Sequence, residues 1–294
     1  MRNTFIEILT EKAKHDKSIV LIVGDLGFNV VEPFAKKFPD RFINAGICEQ
    51  SMAGIAAGMA KEGFKVFIYS IANFPTFRCA EQIRNDICYH NLDVTIVTVG
   101  GGLSYGSLGY SHHAVQDYGL MRLFPEMTLI SPGCPNEVKL SFDHIMNSKT
   151  PKYLRLRKAG ENKINFNSEL LKPGLWNLIK DGKENKILLS TGFGLDFALR
   201  LINQKKYENY KVFSCPIWGN NYKHIQEQQL ESFDEVLTIE DHLKAGGFGS
   251  WIRESIKETK NHEKLNHFYY KDDIIGKVGS ENYLMNFFSI KISE

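Results

Sequence analysis

The sequence predicts a two-unit α/β protein, each unit a mainly parallel sheet covered by helices. Two observations and a length carry that expectation. Short apolar runs rich in β-branched residues alternate with longer segments whose apolar residues recur at helical spacing. The alternation occurs twice, on either side of a polar stretch without periodicity, residues 158–172. The chain has 294 residues, enough for two cores of ordinary size. Strand–helix alternation of this kind produces parallel strands, because each helix carries the chain back across a sheet face before the next strand begins.

The elements follow in order. Residues 18–24 (SIVLIVG) form a continuous apolar run closed by glycine, as expected of a strand buried on both faces. Residues 65–69 (KVFIY), 94–99 (VTIVTV) and 127–131 (MTLIS) repeat that pattern. A further strand ends near Asn44. Helical spacing appears at 30–38, 49–61, 78–90 and 115–124. In the second unit the strands are 186–191, 210–215, 235–239 and 265–270, and the helices 195–203, 225–233 and 246–257. The expected division is a first domain at 1–160, a linker at 161–174 and a second domain at 175–294.

Composition narrows the function. Thirty-six Lys and Arg against 34 Asp and Glu leave a net charge of +2, without the basic stripe of a nucleic-acid binder. Cys48, Cys79, Cys88, Cys134 and Cys215 are scattered and never form C-x-x-C, so free thiols in a reducing cytosol are expected rather than disulfides or a zinc site. Glu7 and Glu11 interrupt the apolar N-terminal stretch, unlike a signal or transit peptide. The longest uncharged run, 94–116, is broken by glycines, serines and histidines and does not read as a membrane span. The expectation is a soluble cytoplasmic protein without membrane or nucleic-acid partners.

The helix at 49–61 begins with Glu49 and is filled with small residues: Ala53, Gly54, Ala56, Ala57, Gly58 and Ala60. Each glycine costs about 1 kcal/mol of helix propensity, a cost that makes sense where another backbone or a ligand must approach closely. A carboxylate at a helix start is favourable with the helix dipole whatever else it does. Glu49 is therefore either a plain helix-start residue or a group turned into an interface.

The segment GICEQSMAGIAAG resembles the glutamate-bearing helix of thiamine-diphosphate enzymes of the transketolase group, G-x-x-E-[QH]-x-M-x-G-x-A-x-G. Further segments follow in the family's order across nearly the whole chain. They are Gly24-Asp25-Leu26, Phe74-Pro-Thr-Phe77-Arg78, Gly106-Ser-Leu-Gly109-Tyr110-Ser111-His112, Arg122-Leu-Phe-Pro125-Glu-Met127 and Thr238-Ile-Glu240-Asp241-His242 with Gly246-Gly-Phe-Gly249. The resemblance implies a pyrimidine-binding fold followed by a transketolase C-terminal-like domain, and an enzyme that moves a two-carbon ketol unit between sugars.

The resemblance also assigns roles. Glu49 meets N1′ of the aminopyrimidine of thiamine diphosphate; a carboxyl withdrawn from water is suited to sharing a proton with a ring nitrogen. Phe74 and Phe77 wall the pyrimidine pocket, Phe77 being the candidate for stacking on the ring; core packing is their alternative. Arg78 closes that pocket or forms a surface pair. Asp25 and Leu26 reach the cofactor or the partner's pocket, or else cap a turn. His112 binds sugar oxygens or assists proton transfer. Arg157 aligns with an arginine used for substrate phosphate, with Arg155 a structural neighbour. Cys48 and Cys79 flank these residues and are expected to serve packing.

Two departures concern the substrate. Gly100 stands where sugar-using members commonly have a histidine, and Leu108 replaces an aspartate that meets an acceptor hydroxyl. An apolar side chain there disfavours a buried hydroxyl and points to an atypical sugar, deoxygenated or nucleotide-linked. A third departure concerns the cofactor. The family's diphosphate and metal motif, G-D-G…N-N, is missing, and Gly219-Asn220-Asn221 lies in the wrong unit and reads as a turn. The chain is thus expected to hold no metal and to work as the C-terminal subunit of a split transketolase. Its partner would be an N-terminal subunit bearing G-D-G…N-N and the Mg²⁺ or Ca²⁺. A self-dimer through 54–60 and a heterotetramer with the partner are expected. Alternatives are a pyruvate-using relative, like deoxyxylulose-phosphate synthase or the β subunit of a 2-oxoacid dehydrogenase, and a non-catalytic scaffold of the same fold.

Overall fold

The computed structural model describes residues 1–158, 164, 166 and 170–287; half of the expected linker lies outside them. The first half runs α1 (Arg2–His15), β1 (Ile19–Val23), α2 (Glu32–Lys37), β2 (Phe42–Asn44), α3 (Glu49–Lys61), β3 (Lys65–Ile71), α4 (Ala80–Gln82), β4 (Val94–Val99), α5 (Asp117–Met121), β5 (Thr128–Ile130), α6 (Pro135–Asn147) and β6 (Lys152–Leu156). The second half runs β7 (Asn177–Lys180), β8 (Lys186–Ser190), α7 (Gly194–Leu201), β9 (Lys211–Ser214), β10 (Ile217–Trp218), α8 (Gln226–Glu231), β11 (Glu235–Leu243), α9 (Phe248–Glu254), α10 (Thr259–His262), β12 (Leu265–Tyr270) and α11 (Glu281–Phe287).

Two sheets result, as the strand–helix alternation predicts. The first has the order β10-β5-β6-β4-β3-β1-β2 and the second β12-β11-β8-β9-β7. All pairings are parallel except β10 on β5 and β7 on β9. The central strands of the first sheet are buried on both faces, which explains their unbroken apolar runs. In β1, Val20 and Ile22 face α3 while Ile19, Leu21 and Val23 face α1 and α2. The core on the α3 side continues through Trp218, Phe248 and Trp251 onto the second sheet. The far face of the second sheet is covered by α7 and by Leu284 of α11. No helix among the described residues is long and apolar enough to cross a membrane.

Several elements differ from the sequence expectation. Residues 152–158, with four charged side chains among seven and no strand expected there, contain a fully buried strand, β6. Its Lys152 is completely covered and its Nζ donates to Asp93 at 2.7 Å and to the carbonyls of Ser148 and Thr150. Strand β10 comes from the second half of the chain and extends the first sheet, pairing Ile217 with Ile130. The expected helix at 78–90 is instead an irregular run with wide π-type turns at Phe74–Arg78 and Ile83–Cys88, separated by α4.

Candidate functional site

In a parallel sheet every strand delivers its C-terminal end to the same edge, and the loops leaving those ends converge. Here the segments after β1, β2, β3, β4 and β6 carry Asp25, Glu49, Phe74 to Arg78, Gly100 to His113 and Arg157. The topology therefore gathers most of the segments that the sequence singled out.

Glu49 is the first residue of α3. The helix begins without a side-chain cap, and the amide of Met52 donates to the Cys48 carbonyl at 2.9 Å. Met52, Ala53 and Ala56 pack against the sheet and turn Glu49 inward, so it is 5% exposed. Its Oε1 accepts from Nη1 of Arg78 at 2.8 Å; Oε2 has no hydrogen-bond partner among the described residues. The carboxylate borders a groove of about 480 Å³ that includes Ile47, Cys48 and Arg78. Arg78 is half-exposed and its guanidinium lies 4.2 Å from the centroid of the Phe74 ring. A cation over an aromatic face and beside a carboxylate is held at both ends.

The π-type turn at Phe74–Arg78 is the local device that makes this possible. An i→i+5 turn widens the helix and swings side chains out of the ordinary helical register. Thr76 anchors the turn, donating to the Ala72 carbonyl at 2.6 Å and lying 3.1 Å from the Tyr153 hydroxyl. Phe77 remains 44% exposed, unlike a core aromatic. A second pocket of about 320 Å³ is lined by Asn73, Phe74, Phe77, Arg78, Ser111 and His113 among others.

Asn73 is a site residue that sequence reasoning missed. Its Nδ2 donates to the carbonyls of Ser111 at 3.0 Å and His113 at 3.1 Å, tying the β4 loop to the β3 loop. Its Oδ1 is buried without a hydrogen-bond partner among the described residues. An asparagine next to an aromatic segment carries no sequence signal that distinguishes it from a turn residue.

His112 meets Phe74 edge-on at 5.2 Å between ring centroids and Tyr105 at 6.2 Å. Its Nδ1 is 3.0 Å from the Ser111 hydroxyl. Burial, with the neighbouring charges of His113 and Arg78, holds its pKa below the usual imidazole value, so the ring is neutral at neutral pH. His113 is buried, with Nε2 3.1 Å from the Gly106 carbonyl.

The other sequence-selected residues are placed as follows. Asp25 has a positive φ of 54° and exchanges two hydrogen bonds with Asn44, at 3.1 and 2.9 Å. That is a clamp between the ends of β1 and β2, with half-buried Leu26 beside it. Gly100 has φ +93°, and a Cβ there would overlap the Tyr105 ring. Leu108 is 54% exposed. Arg157 is not brought to the Phe74 pocket. It stacks on Phe193, 3.4 Å from the ring centroid, and pairs with Glu281 at 2.8 Å. Arg155 is buried between Asp117 and Asp241, joining the two sheets. Arg122 makes two bonds to Glu254, at 2.8 and 2.6 Å. Of the two flanking cysteines, Cys79 is buried as expected, but Cys48 is exposed: it precedes the helix and faces the groove rather than the core. Asn220 and Asn221 begin a 3₁₀ segment, Asn220–Ile225, and donate to the Arg122 carbonyl and to Glu126, tying it to the segment that follows α5.

Known proteins are similar to this chain. Residues 1–160 match the family model described as the transketolase pyrimidine-binding domain. A Methanocaldococcus jannaschii protein assigned as a transketolase C-terminal section is 32% identical over 294 residues, covering 99% of this chain and 92% of the relative. One subunit of the apulose-4-phosphate transketolase of Phocaeicola vulgatus is 30% identical over 262 residues, covering 88% of this chain and 84% of its own length. A 1-deoxy-D-xylulose-5-phosphate synthase of Clostridium perfringens is 30% identical over 281 residues, but the chain spans only 44% of that longer protein. Among solved structures, a split-gene transketolase in the form of an inactive β4 tetramer superposes with a TM-score of 0.81 at 26% identity, covering 98% of this chain and 92% of its own.

Proposed function

This chain belongs to the transketolase family, and from that premise we propose that it is the C-terminal subunit of a two-chain, thiamine-diphosphate-dependent transketolase. The observation that carries the reading is the Glu49 carboxylate, withdrawn from water yet bordering an open groove that shares Arg78 with the pocket lined by Phe74 and half-exposed Phe77. In this reading the chain holds the pyrimidine half of the cofactor, and a separate polypeptide with the G-D-G…N-N motif supplies the diphosphate half and the metal.

The side chains present fit an aminopyrimidine. Glu49 offers a free carboxylate oxygen, Asn73 a buried unpartnered Oδ1 suited to an amino group, and Phe74 and Phe77 aromatic surface. When bound, thiamine diphosphate supplies a carbon nucleophile that carries the two-carbon unit from ketose to aldose. The chain's own residues do the rest. Glu49 holds a proton at a ring nitrogen, and Arg78, paired with it in the free chain, shields the carboxylate until the pocket fills. Phe77 and Phe74 exclude water. Neutral His112 accepts or returns a proton at a substrate hydroxyl. Asn73 keeps the His112 loop against the pocket.

The proposed self-association uses the outer face of α3. Gln50, Ser51, Gly54, Ile55 and Gly58 are exposed, and a Cβ at Gly54 or Gly58 would meet nothing within 4 Å. The glycines are therefore not required by packing inside the chain, which supports a close approach by a second copy. The split between a first domain ending near residue 160 and a second beginning near 175 belongs to the same reading, as does a cytoplasmic setting.

The deciding experiment mixes the chain with a subunit bearing G-D-G…N-N, adds thiamine diphosphate and Mg²⁺, and follows two-carbon transfer together with the mass of the complex. Glu49→Gln is expected to lower kcat by roughly 10²–10⁴-fold, the range for losing a positioned acid–base group. Undiminished turnover in that variant would remove the basis of the reading. Pyruvate offered in place of a ketose separates ketol transfer from the synthase-like alternative.

A further inference from the structure

The loop that carries His112 is held from two sides, and only one of them belongs to its own half of the chain. Two backbone hydrogen bonds between Gly102 and Ala114, both 2.9 Å, close the neck of this loop just beyond β4. Past the neck it makes two short 3₁₀ turns, Gly106–Leu108 and Tyr110–His112. Such turns hold a loop weakly, so contacts from outside fix where it lies. Asn73 supplies them on the side of the Phe74 pocket. The other side is covered by residues 278–284, which lead into α11 from the second half. Gly279 donates its amide to the Gly106 carbonyl at 3.3 Å, and the same carbonyl lies 3.1 Å from His113 Nε2. A Cβ at Gly106 would stand 2.6 Å from Leu284 Cδ1 and 2.7 Å from the Gly279 carbonyl oxygen. Position 106 therefore needs glycine because the second half of the chain approaches its backbone closely. Leu284 is fully buried and shares a core with Leu103 and Val115, at either end of the loop. The Ser280 hydroxyl accepts from the Tyr283 amide at 3.1 Å, as a helix-starting serine does. Glu281 pairs with Arg157 at 2.8 Å, and that guanidinium is stacked on Phe193.

We propose that residues 279–284 of the second half form a strap that positions the His112 loop, with Leu284 and Glu281 as positioning residues for the ketol transfer. This rests on the reading that His112 exchanges a proton with the substrate. The Gly106 carbonyl is the junction. It receives the strap's amide from one side and the His113 ring from the other, so a loosened strap frees the residue next to His112. Glu281 sets the strap's register, because its carboxylate is held by an arginine that Phe193 already immobilises. The second half of the chain thereby acts on the site without touching substrate or cofactor.

Amide hydrogen exchange on the chain alone tests the strap apart from the chemistry. The amides of Leu108, Gly109, His112 and His113 are bonded within the loop's own turns, so their exchange reports how firmly the loop is held. Leu284→Ala is expected to speed that exchange by about tenfold and Glu281→Gln by about threefold, while β4 exchanges as before. Unchanged exchange at 106–113 in both variants overturns the proposal. Where Leu284→Ala loosens β4 as well, the milder Glu281→Gln decides. In the reconstituted two-chain enzyme, Leu284→Ala is expected to lower kcat about tenfold, the cost of a slightly misplaced catalytic group, with the thiamine diphosphate requirement unchanged. In a His112→Ala background the same substitution is expected to change kcat by less than about twofold, because residues that act as a unit are not additive. Equal losses in both backgrounds would make the strap a structural tie only and overturn its positioning role. An enzyme without two-carbon transfer, whose loop exchange still depends on Leu284 and Glu281, defeats the ketol-transfer reading and leaves the strap standing.

Discussion

At position 100 the backbone is left-handed, with φ +93°, and the Tyr105 ring occupies the place of the missing side chain. Only glycine meets both conditions without strain. Gly100→Ala must either rotate its backbone or displace Tyr105, and the His112 loop with it. A loss of roughly 2 kcal/mol or more is expected from the combined backbone and overlap costs, read as a lower urea midpoint. An unchanged midpoint would show that the ring yields freely. The same position illustrates how a departure from a family pattern becomes intelligible: another side chain's ring already fills the space beside Gly100. Glu49 makes the complementary case, since its type and place at a helix start were readable, but the ion pair with Arg78 depended on a turn 29 residues away.

Among the elements, α9 shows how one side chain determines a helix start. Glu240, on β11, accepts from the amides of Phe248 at 2.6 Å and Gly249 at 2.9 Å. These are among the donors that a helix N-terminus leaves unpaired. Gly247 is required beside it, because a Cβ there would overlap the Glu240 carboxyl. Burial, against the pull of those two amides, raises the Glu240 pKa from 4.5 to about 8. An acid with a raised folded-state pKa contributes stability that is fully present below its unfolded value and is lost as pH rises through about 8. Wild-type protein is therefore expected to lose stability between about pH 5 and 8 relative to Glu240→Gln, whose amide does not titrate. Urea midpoints across that window check it, and parallel curves for the two proteins would contradict it. Glu240→Ala leaves both amides unsatisfied at any pH and is expected to cost on the order of 2–4 kcal/mol.

The whole molecule is joined by a buried charge cluster. Arg155 on β6 donates to Asp117 at 2.7 Å, to Asp241 on β11 at 2.7 Å and to the Ala114 carbonyl at 2.7 Å, and it lies over the Tyr118 ring. His242 stacks on the same tyrosine, with ring centroids 5.1 Å apart. Alongside this cluster, Gly119 and Gly246 bring backbone against backbone: a Cβ at Gly246 would come within 2.8 Å of the Gly119 Cα. Together with β10 they bind the second half of the chain to the first. Arg155→Met strands two buried carboxylates and is expected to cost about 3–5 kcal/mol. Replacing Arg155, Asp117 and Asp241 together by apolar residues is expected to cost less, because no uncompensated charge remains. Denaturant unfolding of the two variants gives the comparison, and a milder loss for the single substitution would refute the argument.

Much of this architecture was legible because its signals are local. The runs at 18–24, 65–69 and 94–99 became β1, β3 and β4, and the helix at 49–61 matches α3 to the residue. Burial on both sheet faces writes itself into consecutive apolar residues. Strand β6 was harder to read, since Lys152 and Arg155 give it the charge pattern of a surface; both are covered only because Asp93, Asp117 and Asp241 arrive from elsewhere. The π-type turns at Phe74–Arg78 and Ile83–Cys88 hid for a related reason, as their register is imposed by packing rather than by periodicity. By itself, then, the sequence determined the alternation of strands and helices and the kinds of side chain at their ends. Tertiary structure alone decided which of those side chains meet: Glu49 with Arg78, Asn73 with the His112 loop, and Arg157 with Glu281. Hydrophobic period acts over neighbouring residues, whereas ion pairs and orphaned donors are settled by segments far apart in the chain.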